Sequence, residues 1–515
     1  MTQSLEEARA GMTNPLFKYG SRTLASLLTL GLLVGAAACG SQGGSASSSA
    51  SSSSTDTGTV ALFTPSDDLT LSTSIPLNRW NQFVPAVKKS LEKQGFQSSQ
   101  ISSVKSKSLD DQSHAIQDYV VRQVGDLADQ HEDDNTGSPK PMTLVVAPAT
   151  DRDPALRAYG DLVTQDTPKH VEDSEHAAWN RIADSLKLAK RAGMHVVLLR
   201  DQVPNVKADA YVQFTNAQNI GAMQARQLIN KLALDKTTKD NPKYIEVLLP
   251  ISKDASHADE QSDAEALFAK QAFQGMWDEL QPYFVSGKLR SSSGLLNVET
   301  SSNDWRSVAI DASKDDTIKQ AIRARLKSTN GSNKPVAIDG LIAMNDQVAS
   351  AAVSELTSLG YTGSAADINP NIDLLGIVNN ITGRKDLDRE QAPEPAKAPQ
   401  ADTQDAHSKD MVPSKDTWPL VTGFGAYVSN MQNIVDGKQW ITGFEDRDYF
   451  AEKLSILALD LNANKTIDKL QYVSSIDIEG RQTPYVTRPI VVAAASNLKS
   501  VLIDPGYISL ADAGL

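Results

Sequence analysis

Short apolar runs bounded by polar or turn residues recur along the chain. They are Val60–Phe63, Thr143–Val146, His195–Leu199, Tyr244–Leu249 and Gly340–Ala343. Runs of this length, apolar at nearly every position, predict strands buried on both faces. Between them lie stretches with helical spacing. Phe83 to Gln94 places Phe83, Val84, Val87 and Leu91 on one face, and Ala177 to Ala192 does the same with Trp179, Ile182, Leu186 and Leu188. Ile220 to Leu234 and Val348 to Leu359 follow the same period. Strands alternating with amphipathic helices predict an α/β protein, with parallel sheets covered by helices on both faces. Ligands of such sheets sit at the C-terminal ends of the strands.

Two regions break the pattern. Lys18 and Arg22 precede an apolar run, Leu24 to Val34, which is followed by Gly35, three alanines and then Cys39. The run has the length of a signal-peptide core and is short for a membrane span. The stretch resembles the lipobox of bacterial lipoproteins, with Ala36 where leucine is usual. The resemblance implies cleavage before Cys39 and lipidation of its thiol. Ser41 to Gly58 is almost pure Ser, Gly, Ala and Thr, a composition that buries no apolar surface and acts as a flexible tether. The second break is Asp386 to Trp418, rich in Pro, Ala, Asp, Gln and Lys. It reads as a solvated, largely disordered insertion.

Composition narrows the function. The chain has 515 residues, and its formal charge of -13 argues against a phosphate backbone as partner, so no nucleic acid is expected. Cys39 is the only cysteine, so the body has no disulfide, no thiol nucleophile and no cysteine metal site. The seven histidines show no His-Glu-x-x-His spacing, and no Walker loop or dinucleotide glycine motif is present. The expectation is a protein that is not an enzyme and carries no metal or cofactor.

Several stretches, in order, carry a family resemblance. They include Val60 to Pro65 with Arg79-Trp80 downstream, Thr143 to Asp151 (TLVVAPATD), and Tyr211 to Asn216 (YVQFTN). Gln274 to Leu289 (QGMWDELQPYFVSGKL), Asn345 to Ala349 (NDQVA), Pro419 to Ala426 (PLVTGFGA) and Arg488 to Val492 continue the series. Together they resemble the substrate-binding proteins of sugar ABC transporters, in the xylose and multiple-sugar branch of the ribose-type periplasmic binding proteins. The resemblance implies a type I periplasmic binding protein-like fold, two doubly wound parallel-sheet lobes joined by three crossing strands. The lobes would run over 59–216 (with about 427–470) and 217–426, and 471–515 would return across them.

It also implies a sugar site between the lobes. Arg79 and Trp80 match the family's Arg-Trp pair. Asn216, Trp305, Asn345 and Asp346 match cleft positions or fall at strand ends, although a helix cap or a core tryptophan is the competing reading. Departures from the pattern matter as well. The family's Asp-Arg pair is reversed as Arg200-Asp201, and neighbours on an extended chain point opposite ways, so which of the two faces the cleft stays open. Thr215 replaces a carboxylate. Phe424-Gly425 replaces two polar groups. In the stretch Gln261 to Ala266, Asp263 or Glu265 takes the place of lost polar residues. The implied cleft is less polar and more aromatic than a pentose site. The resulting expectation is a monomer, held by a lipid on the extracytoplasmic side of the cell membrane, that captures a carbohydrate for an ABC permease. A ligand sensor of the same fold and a binder of a non-sugar solute are the rivals.

Overall fold

The computed structural model describes residues 57–67, 72–132, 140–150, 154–165, 173–252, 255–257, 263–327, 335–336, 338–366 and 418–515. The leader, Cys39, nearly all of the tether and the insertion before Trp418 lie outside them.

The chain begins with β1 (Thr59–Pro65), α1 (Trp80–Lys93), β2 (Ile101–Ser106), α2 (Leu109–Glu132), β3 (Met142–Val146), α3 (Asp173–Arg191), β4 (His195–Leu199) and β5 (Ala210–Val212). These strands pair in parallel in the order β5-β4-β3-β1-β2. Alternation along each strand divides the side chains between two cores. Val60 and Leu62 of β1, with Val145 and Val197, pack on one face, while Ala61, Phe63, Leu144 and Val196 pack on the other. Each face is buried, so the runs are apolar at consecutive positions.

The second lobe contains α4 (Ala217–Lys231), β6 (Lys243–Val247), β7 (Leu249–Ile251), α5 (Ala264–Val285), β8 (Leu289–Ser291), β9 (Ala309–Asp311), α6 (Asp315–Arg325), β10 (Gly340–Ile342), α7 (Asp346–Ser358) and β11 (Leu420–Thr422). Its parallel sheet has the order β11-β10-β6-β8, and β7 pairs with β9 in parallel. Helices α4 and α5 touch backbone to backbone. A Cβ on Gly221 would fall 1.9 Å from the Ala272 carbonyl oxygen, and one on Gly275 would fall 2.0 Å from that of Gln218. The glycine pair is what lets the helices approach so closely.

The chain then crosses back. α8 (Met431–Val435) and β12 (Ile441–Phe444) lead to α9 (Arg447–Asn462), which packs with α1 on the first lobe. β13 (Ser474–Ile478) and β14 (Arg481–Val486) form a hairpin that extends the first sheet beside β5. β15 (Val491–Ala494) returns to pair antiparallel with β12. The described chain therefore passes between the lobes three times, near Gln213–Asn216, Phe444–Asp446 and Thr487–Ile490. The crossings are tied together. Gln213 N–H donates to Val486 O (3.0 Å), and Arg488 Nη1 lies 2.5 Å from Asp446 Oδ2. Among the described residues, no helix is long and apolar enough to cross a membrane.

Candidate functional site

The C-terminal ends of the first lobe's strands surround a cavity of about 80 Å³. One water needs roughly 10–15 Å³ of such space, so the cavity has room for several. Asp67 follows β1, Lys107 follows β2, Thr150 follows β3 and Arg200 follows β4, with Arg79 and Trp80 at the start of α1 and Asp161 nearby.

Two carboxylates organise this wall. Helix α1 begins at Arg79 without a cap from its own side chain. Instead Asn81 N–H donates to Asp67 Oδ2 (2.7 Å), and Trp80 N–H donates to Asp161 Oδ2 (3.4 Å). The helix dipole favours negative charge at this end. Arg79 Nε lies 3.8 Å and 3.6 Å from the same two carboxylates. Among the described residues, the buried Asp67 Oδ1 has no hydrogen-bond partner.

Arg200 is 1% exposed and its backbone is left-handed, with φ 64°. Its side chain is anchored on several sides. Nε donates to Asp201 Oδ2 (2.6 Å), Nη1 to Asp161 O (3.2 Å), and Nη2 to Pro148 O (2.6 Å) and Thr150 Oγ1 (3.1 Å). The guanidinium carbon sits 5.5 Å from the centre of the Trp80 ring. Arg200 is thus the member of the reversed pair that lines the cavity, and Asp201 stands behind it as its counter-ion. Trp80 is 1% exposed. One edge borders the cavity, and the rest packs against Phe83 and Phe214 in the lobe's core.

A second group gathers at the strand ends of the other lobe. Asn345 and Asp346 follow β10, and Phe424 follows β11. Asn345 caps α7, its Oδ1 accepting from Val348 N–H (3.0 Å). Asp346 is fully buried. Its Oδ2 accepts from Tyr427 N–H and Thr442 Oγ1, and its Oδ1 accepts from Gln439 Nε2. Burial pushes its carboxyl up to about 6, opposed by these bonds. A carboxylate so engaged pins α7 to the segment 424–442. Phe424 is buried, and its backbone bridges to Gly443.

The remaining residues singled out in the sequence stand apart from the cavity. Asn216 caps α4, accepting from Asn219 N–H (2.9 Å). Trp305 is buried in the second lobe's core with the Arg306 guanidinium 4.2 Å from its ring centre. Asp263 caps α5 by accepting from Ala266 N–H, and Glu265 accepts from Ser252.

Sequence reasoning missed Asp67, Asp161, Tyr159 and Glu445. Asp67 was legible as a carboxylate just beyond the first strand. The other three depend on contacts with distant segments. Glu445 lies at the second crossing, buried, where its Oε1 accepts from Thr215 N–H. Its Oε2 has no partner among the described residues. Burial, with a smaller push from Asp446, raises its carboxyl to about 8. Among the described residues, no cluster of His, Cys, Asp and Glu is arranged to hold a metal ion.

No protein-family model and no curated protein matches the chain. Solved structures resemble it at low identity. An ABC transporter solute-binding protein from Clostridium phytofermentans with bound β-D-glucose is 19% identical, with a TM-score of 0.46 over 88% of this chain and 99% of that one. A carbohydrate transporter solute-binding protein from Chloroflexus aurantiacus in complex with D-glucose is 17% identical, with a TM-score of 0.46 over 88% and 97%. AraP, an arabinose-binding protein from Geobacillus stearothermophilus, is 10% identical, with a TM-score of 0.43 over 86% and 99%.

Proposed function

We propose that the chain is an extracytoplasmic solute-binding protein that captures a carbohydrate between its lobes and delivers it to an ABC permease. The observation that carries this reading is the cavity at the strand ends of the first lobe, walled by Arg79, Arg200, Asp67, Asp161 and Trp80. Sugar hydroxyls donate to carboxylates and accept from guanidinium groups, and the C–H face of a sugar packs on an aromatic edge. Three connections between lobes suit a hinge that closes on a ligand. The finer assignment, to the xylose and multiple-sugar branch, rests on the motif series in the sequence. The protein acts as a monomer.

Calorimetric titration with D-glucose, D-xylose, D-ribose and L-arabinose tests the reading. One of these binds and raises the melting temperature. Arg79→Ala weakens that binding, measured per folded molecule, by about tenfold or more, the loss expected of a hydrogen bond to a charged group. Binding of none of the panel, or unchanged affinity in the variant, contradicts the proposal.

The anchor is proposed on the sequence alone. Cys39→Ala is expected to release the protein from the membrane fraction or leave it unprocessed, as followed by fractionation and mass. An unchanged membrane fraction with the leader correctly removed counts against lipidation.

A further inference from the structure

One segment of the first lobe is buried in the core of the second. Segment 154–164 leaves the first lobe after β3 and carries Tyr159 into the second. Leu156, Tyr159 and Val163 belong to the second lobe's apolar core. Tyr159 is 4% exposed. Its ring centre is 4.7 Å from that of Phe268 and 6.4 Å from that of Phe424, both rings tilted against it. Its hydroxyl faces the Asn345 side chain. Beside it, the Tyr427 hydroxyl donates to Ala158 O (2.9 Å).

Asn345 and Phe424 lie just past the C-terminal ends of β10 and β11, where parallel sheets take their ligands. We propose that Tyr159 stands in the solute's place on the second lobe and must be displaced before a solute can bind across the cleft. The proposal rests on the reading that the interlobe cleft is the solute site. The ring offers what a sugar ring would offer, a flat apolar face for Phe268 and Phe424 and a hydroxyl for Asn345. Gly425 has φ +121°, and a Cβ there would fall 2.8 Å from the Tyr427 ring, so this packing also needs the glycine.

A competitor built into the chain lowers apparent affinity by the fraction of molecules in which it has moved away. A minor state populated at about 1–10% gives a tenfold to hundredfold effect. D-Glucose titrated into the parent protein and Tyr159→Ala is expected to bind the variant at least about tenfold more tightly. Equal or weaker binding to the variant overturns the proposal. Native-state hydrogen exchange on the parent supplies a readout that needs no ligand. Asp161 N–H is bonded to Asn78 O, and Thr164 N–H to Thr215 O. These amides are expected to exchange by local opening, at least about tenfold faster than those of Leu144 and Val145 in β3. Exchange as slow as that of β3 means the ring is fixed core, and the proposal falls. If neither protein binds D-glucose, the failure belongs to the sugar assignment, and the exchange rates alone decide whether Tyr159 is displaceable.

Discussion

Trp80→Ala is expected to destabilise the protein by about 3–5 kcal/mol, the usual cost of truncating a buried aromatic side chain to alanine. Trp80 is enclosed by Phe83 and Phe214, whose ring centres lie 5.8 Å and 6.5 Å away, and by the Arg200 guanidinium. Truncation leaves a cavity between α1 and the sheet that Phe214, itself held against Phe450 at 4.8 Å, is too constrained to fill. It also removes the cation–π partner of a buried arginine, adding to the loss. Equilibrium urea unfolding measures the change as a lower midpoint at constant slope. A loss below about 1 kcal/mol would place Trp80 at a yielding surface and contradict its role as the core wall of the cavity. Sugar affinity per folded molecule, measured on the same variant, separates the edge that borders the cavity from the bulk that supports it.

Glu445→Gln is expected to remove most of a fall in stability between about pH 6 and 8. The folded-state value of this carboxyl is raised to about 8, first by burial and then by Asp446. In the unfolded chain a glutamate titrates near 4.3. A group raised on folding contributes fully below its unfolded value, and that contribution is lost as pH rises through the folded one. The parent therefore weakens from about pH 4.5 to 8. Glutamine keeps an acceptor for Thr215 N–H and never ionises, so it mimics the protonated state throughout. The two proteins should match near pH 4 and differ by a few kcal/mol at pH 8, in favour of the variant. Asp346, raised to about 6, adds a similar decline at lower pH in both proteins. The comparison is therefore read above pH 6. Parallel melting-temperature profiles for the two proteins across this range would contradict a raised Glu445. Because Glu445 joins the first crossing to the second, its ionisation acts where those two crossings meet.

Most of the strand and helix framework could be read from local pattern. The run His195–Leu199 coincides with β4, and Val60–Phe63 lies inside β1. Phe83 to Gln94 falls on α1 apart from the first turn, where the helix starts at Trp80 because carboxylates from elsewhere accept its first N–H groups. The pattern was silent on β2, whose sequence ISSVKS is polar at four of six positions and only partly buried. It was equally silent on the edge hairpin β13–β14, exposed along much of its length.

The candidate site was less legible. Arg79, Trp80 and Arg200 were singled out from the sequence, and all three border one cavity. Trp305 carried the same kind of signal and lies in the second core, because a tryptophan has the same character whether it lines a cleft or fills a lobe. Asn216 and Asn345 both cap helices, a role encoded by the same strand-end position that suggested ligand contact.

By itself the sequence determined the α/β class and the places where strands give way to helices, since periodicity, turns and burial on both faces are properties of neighbouring residues. Tertiary structure alone decided that Arg200 and not Asp201 lines the cavity, because a left-handed turn sets the direction of its side chain. It also decided that Glu445 meets Thr215 and that Tyr159 enters the opposite lobe. Those contacts join residues far apart in the chain, and each depends on how the two lobes are brought together, which no local window of sequence contains.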